Sequence, residues 1–181
     1  MPKTIIVPAG EEFDPVTRKI TQYPEFALRL EHSLISISDW EAIWHVSFFS
    51  GDKNEEQTLS YIKCMTLNKN VDPNVYRRLS FDNIREINSY ISDPMTATTI
   101  REEKSSKART SEKVTSELIY YWMIAYNIPV EFEKWHINRL ITLIRVCSEK
   151  QKPPKKKTRR EIMEENRAIN MARRAKLGSK G

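Results

Sequence analysis

Leu118-Ile119-Tyr120-Tyr121-Trp122-Met123-Ile124-Ala125-Tyr126-Asn127-Ile128-Pro129 is the stretch on which the fold turns. From Leu118 to Tyr126 it is the longest uninterrupted apolar run in the chain, about half of what a membrane-spanning helix needs. A helix over about 112–127 that is apolar almost all round suits the central, buried position of a bundle. Ile128-Pro129 breaks it. A second helix is expected over about 130–150, with Ile137, Leu140, Ile141 and Ile144 as its apolar stripe and Glu133, Asn138, Arg139 and Arg145 facing elsewhere.

Upstream of that pair, the spacing predicts shorter helices. One lies within about 34–49, with Ser38 and Glu41 at capping-box spacing, a start one turn earlier remaining open, and with Trp40, Ile43, Trp44 and Phe48 on one face. Another starts near Asn54 and carries Leu59, Ile62 and Met65. Asp72-Pro73 supplies an N-cap and a first-turn proline for a short helix through Val75, Tyr76 and Leu79. Ser80 caps a further helix with Phe81, Ile84, Ile87 and Ile91 on its face, ended by Asp93-Pro94. Arg101 to Thr110 is polar and aperiodic and reads as a mobile loop.

About residues 3–31 differ in pattern. Phe26, Leu28 and Leu30 alternate with Ala27, Arg29 and Glu31, the period of a half-buried strand. Pro8, Pro15 and Pro24 keep the strands short or at edges. The fold class is therefore mainly α, a helical body over 1–150 with a small N-terminal β element.

Charge separates the rest. Residues 150–181 hold 12 Lys/Arg against 3 Asp/Glu, a net of +9, which leaves −3 for the 149 residues before them. Lys152-Pro153-Pro154-Lys155-Lys156-Lys157 reads as a linker. Good helix formers from about Arg159 to Leu177 follow, with Gly178 as a stop and Ile162, Met163, Ile169 and Met171 as sparse apolar positions. Residues 151–181 are thus a linker and a basic helical arm, marginal as an isolated helix. Its candidate partner-binding residues are Lys155, Lys156, Lys157, Arg159, Arg160, Arg173, Arg174 and Lys176.

Chemistry-bearing patterns are sparse. His32, His45 and His136 lack zinc-site spacing, and His136 reads as a helix residue at a packing boundary. Cys64 and Cys147 form no CxxC pair and read as reduced thiols of a cytosolic protein. Four glycines leave little material for a phosphate-cradling loop, and no Walker A, GxGxxG, GxSxG or HExxH motif occurs. Acidic pairs such as Glu55-Glu56 are adjacent and point about 100° apart on a helix. These features predict a non-enzyme with no catalytic, metal or cofactor site. The basic run allows a nucleic-acid role, but no aromatic residue follows Trp135 to serve as a stacking platform. Trp40, Trp44, Trp122 and Trp135 are expected mostly in the core, with one or two available to a groove that holds a partner helix. The first eight residues offer too short an apolar run for a signal peptide.

Several stretches carry a family resemblance: Leu30-Glu31-His32-Ser33-Leu34-Ile35-Ser36-Ile37-Ser38-Asp39-Trp40-Glu41, Val71-Asp72-Pro73-Asn74-Val75-Tyr76, Pro94-Met95-Thr96-Ala97-Thr98-Thr99, Tyr121 to Pro129, Lys134-Trp135-His136-Ile137-Asn138-Arg139-Leu140, and Ala172-Arg173-Arg174-Ala175-Lys176-Leu177. Across nearly its whole length the chain resembles the tail-assembly chaperones of long-tailed bacteriophages. The resemblance implies a role in the host cytoplasm. There the protein would coat the helical tape-measure protein until tail-tube subunits polymerise around it, then leave before the virion is complete. The implied partners are the tape-measure protein, the tail-tube protein, a longer frameshifted form of the chain and a second copy of itself, with no membrane. Two alternatives stand beside it: a phage nucleic-acid-binding accessory protein using the basic arm, and a structural component of the virion tail or connector.

Overall fold

The computed structural model describes residues 2–15, 18–99, 113–151 and 159–178. The expected loop at 101–110 and the linker at 152–157 lie outside these residues. The chain divides into two compact units, Met1–Glu149 and Lys150–Gly181.

The first unit starts with β1 (Lys3–Val7), β2 (Gly10–Asp14), β3 (Lys19–Tyr23) and β4 (Phe26–Leu30). β1 and β4 pair antiparallel with Ile5 opposite Leu28, and β2 and β3 form a hairpin inserted between them. The period-2 alternation is realised: Ile5, Val7, Leu28 and Leu30 are buried while Thr4, Ile6, Ala27 and Arg29 face out. An exposed strand edge invites pairing with other chains, and β4's outer edge is covered. The side-chain amide of Asn68 accepts from Arg29 N (2.7 Å) and donates to Ala27 O (3.2 Å), as the peptide of a third strand would. On β1, Asn83 donates to Ile6 O at 3.0 Å. Arg78 holds the base of the hairpin by donating to Pro8 O at 2.7 Å and lying over the Tyr23 ring.

The helices of this unit are α1 (Leu34–Trp44), α2 (Glu55–Met65), α3 (Pro73–Arg77), α4 (Phe81–Ser92), α5 (Ser116–Ala125) and α6 (Ile137–Gln151). A short 3-10 helix, Val130–Lys134, precedes α6. Their starts are set locally. Asn54 with Gln57, and Ser80 with Asn83, make reciprocal capping boxes, and Asp72 caps the turn begun by Pro73. The cap of α1 is Ser33 with Ser36, a turn before the Ser38–Glu41 pair singled out by spacing. Asn127 takes a left-handed φ of 53° after α5, and its neighbour Ile128 N donates to Met123 O, closing that helix before Pro129.

Four expectations need correction. α5 is not buried all round: Ile119 and Met123 face the core, but Tyr121 is 63% and Ile124 73% exposed. A uniformly apolar sequence cannot show which side of a helix its neighbours cover, and α5 packs against α1 along one side. The helix expected over 130–150 is interrupted at Trp135-His136, because His136 bridges to Ser33 and Ile137 N donates to His32 O at 2.9 Å. Those long-range bonds outweigh local helix propensity. Ile43 is 58% exposed and Phe48 lies beyond the end of α1, so the four-residue face predicted there holds only at Trp40 and, half-buried, Trp44. Phe81, at the first position of α4, is also exposed.

The core includes Leu28, Leu34, Ile37, Ile62, Ile119, Leu140 and Trp40, whose indole N–H donates to Gln57 O at 2.9 Å. Each fully buried aliphatic side chain contributes about 1.5–3 kcal/mol relative to exposure. In the second unit, α7 (Arg159–Leu177) carries only exposed side chains. It ends at Gly178, whose φ of 61° suits a glycine. Among the described residues no helix is long and apolar enough to cross a membrane.

Candidate functional site

Trp122 lies on α5 and Tyr126, one turn later, is the residue that caps its C-terminus, while Ile141, Ile144, Arg145 and Ser148 lie along one side of α6. With Phe49 and Val114 they line an open groove of about 470 Å³. Phe49 follows α1 and Val114 precedes α5, so neither is placed by its own helix. Buried Glu41 places both regions. Its Oε1 accepts from Phe48 N and its Oε2 from Ser116 N, each at 2.7 Å, and Ser47 Oγ donates to Val114 O at 2.5 Å. The Ser116 N–H belongs to the first turn of α5, where a carboxylate also meets the positive end of the helix dipole. One side chain of α1 thus fixes two walls of the groove. Sequence spacing assigned Glu41 only to a capping box; its true partner, Ser116, lies 75 positions away.

Among the described residues the groove lining is apolar and aromatic, with Arg145 as the charged residue. Tyr121 and Ile124, three residues apart on α5, add exposed apolar surface on another face of that helix. A second hollow, of about 600 Å³, lies at Ala9, Gly10, Glu11, Gln22, Tyr23 and Pro24, where strand backbone and polar side chains predominate.

The candidate basic residues are only partly brought together. Arg159 and Arg160 stand in the first turn of α7, Arg174 and Lys176 in its last and Arg173 just before that turn, so Arg160 and Arg174 are about 21 Å apart along the axis. α7 holds six Lys/Arg and three Glu, net +3, and Arg160 pairs with Glu164 at 3.0 Å. Lys155, Lys156 and Lys157 lie outside the described residues.

A buried polar seam forms a second cluster. His32 and His136 pack ring to ring, centroids 4.8 Å apart and near-perpendicular. His32 Nδ1 is hydrogen-bonded to the Tyr61 hydroxyl, and His136 Nε2 donates to Tyr90 O at 3.0 Å. A carbonyl only accepts, so the His136 proton is on Nε2, and its buried Nδ1 has no hydrogen-bond partner among the described residues. Burial, followed by the neighbouring His136 and Lys53, holds the His32 pKa down at about 3. Burial also lowers His136, and burial raises Tyr61. The seam is closed to solvent and joins β4–α1 to the start of α6; sequence separation hid the pairing, and His136 is buried rather than at a packing boundary.

Among the described residues no group of three or more His, Cys, Asp or Glu is placed to hold a metal ion. Cys64 and Cys147 are free and half-buried. Trp135, the aromatic residue nearest the basic end, is stacked on Phe132 at 4.0 Å and covered by the Arg139 guanidinium at 4.0 Å. Two groups that close to one ring must occupy opposite faces, leaving neither for a nucleobase. No protein-family model, no curated protein and no solved structure matches the chain.

Proposed function

We propose that the chain is a non-catalytic phage tail-assembly chaperone, which holds the helical tape-measure protein in soluble form in the host cytoplasm until tail-tube subunits replace it. The groove at Trp122 and Tyr126 carries this reading. Two helices wall an apolar trough, and apolar troughs of this kind receive the apolar face of an amphipathic helix. A tape measure awaiting its tube exposes such faces and aggregates without cover. Weak docking repeated along one long client accumulates through effective concentration and remains displaceable. The cations of α7, with Lys155, Lys156 and Lys157, add attraction to acidic stretches of client or tube and speed encounter.

The six Lys/Arg of α7 equally favour a second reading, an accessory protein bound to phage nucleic acid. Covered Trp135 and the lack of later aromatics weigh against single-strand binding. Mass spectrometry of purified virions beside a pull-down from infected cells separates the readings. The chaperone co-purifies with the tape measure and is missing from virions. Fixed copy number in virions would make it a structural component. Recovery with DNA or RNA, lost steeply with salt and without tape measure, would make it a nucleic-acid binder.

A further inference from the structure

The charge of the groove narrows its occupant further than its shape does. Among the described residues that line it, six are apolar or aromatic, Ser148 is neutral, Arg145 is cationic and none is a carboxylate. Arg145 is exposed and forms no salt bridge with a described residue. Along α6 the wall from Ile141 to Ser148 rises about 10 Å, and along α5 the step from Trp122 to Tyr126 rises about 6 Å. Those lengths match anchors at i, i+3 or i+4, and i+7 of a docked helix. A side chain flanking those anchors meets Arg145, whose planar guanidinium is built for a carboxylate.

We infer that the groove docks an amphipathic helix of another protein that carries a glutamate or aspartate beside its aliphatic anchors, with Arg145 as the partner of that carboxylate. The inference rests on the helical-client reading above and adds the client's charge. A second copy of the chain is the poorer occupant. Its exposed amphipathic helix α7 carries Glu161, Glu164 and Glu165 beside Ile162 and Met163, but Glu164 is paired with Arg160, Glu161 and Glu165 also have interactions, and the helix's net charge of +3 has the same sign as Arg145.

The test uses the full chain and two fluorescein-labelled model peptides of ~18 residues, long enough to populate helix. Both carry leucines at i, i+4 and i+7; one has glutamates flanking them and the other lysines. Anisotropy titrations at low and physiological salt give the affinities. The glutamate peptide is expected to bind about tenfold tighter than the lysine peptide, with the preference shrinking as salt rises. Arg145→Glu should reverse the preference, and Trp122→Ala should weaken both peptides alike. Arg145 is exposed, and far-UV circular dichroism checks that its replacement leaves the fold intact.

Equal affinity for the two peptides, a preference indifferent to Arg145→Glu, or no binding of either overturns the inference. So do NMR contacts showing the groove filled by the chain's own residues. Co-purification of the tape measure is a separate readout. If it persists while the peptides show no preference, the acidic-client inference fails and the chaperone reading stands. If the peptides behave as expected and the tape measure is not recovered, the reverse holds.

Discussion

Acidification from pH 7 to 5 should destabilise the first unit by about 2 kcal/mol through His32 alone. The folded chain keeps this imidazole neutral, with a pKa of about 3 against a usual 6.5, because charging it there means charging a ring enclosed by Tyr61, Phe48 and His136 with Lys53 nearby. The unfolded chain therefore binds the proton more readily. The stabilisation is complete above the unfolded value near 6.5 and is lost progressively as pH falls towards 3. Between pH 7 and 5 the linkage relation gives about 2 kcal/mol for these two values. His136 acts in the same direction through burial, since its second proton would go to a buried Nδ1 with no acceptor among the described residues. The hydrogen bond to Tyr90 O, and then Asp93, partly offset this by favouring the charged ring. Urea denaturation at pH 7, 6 and 5 measures the effect. Side chains of α7 are all exposed, so the transition reports Met1–Glu149. His32→Gln keeps a hydrogen-bonding group near Tyr61 but cannot titrate; it should be less stable at pH 7 and show a shallower pH dependence. A wild-type stability flat from pH 7 to 5, or a slope undiminished in the His32→Gln, His136→Gln double variant, would refute the argument.

Glu41 makes two charge-assisted bonds to backbone N–H groups, so Glu41→Gln should cost about 2 kcal/mol and Glu41→Ala about 3–4 kcal/mol in urea midpoints. Glu41→Ala should also weaken peptide binding, because Phe49 and Val114 lose their shared clamp. Trp122→Ala should cost about 2 kcal/mol, less than the 3–5 kcal/mol of a fully buried aromatic, since Trp122 is half-buried; calorimetric melting checks it. Reversing Arg159, Arg160, Arg173 and Arg174 to glutamate should leave stability within about 0.5 kcal/mol, as these side chains are exposed; under the proposed chaperone function, phage yield in complementation should fall.

What was legible in the sequence is what is encoded within a few residues. The helix start near Asn54, the Asp72-Pro73 and Ser80 caps and Gly178 as a stop are satisfied by near neighbours, and the alternation through Phe26, Leu28 and Leu30 repeats within five residues. Features requiring distant partners were not legible. Glu41 reaches Ser116, His32 meets His136, and the Trp135-His136 interruption follows from bonds to β4–α1. The sidedness of α5 was hidden because every face of Leu118 to Ile124 is apolar, and only contact with α1 and α6 residues decides which are covered. For the groove, the sequence offered aromatic residues on helices but not the pairing of Trp122 and Tyr126 with Ile141, Ile144 and Arg145, which needs α5 and α6 side by side. The basic positions were legible as composition; their separation at opposite ends of α7 needed the helix.

The claim that this groove covers a helical client is tested most directly by co-expressing the tape-measure protein of the same phage with the wild-type chain or with the Trp122→Ala, Tyr126→Ala variant, and measuring the soluble fraction of tape measure after centrifugation. The account predicts soluble tape measure that co-purifies with the wild-type chain. It predicts pelleted tape measure with the variant, although the variant itself stays folded and soluble. Equal solubility of the tape measure with wild type, variant and no partner would contradict it.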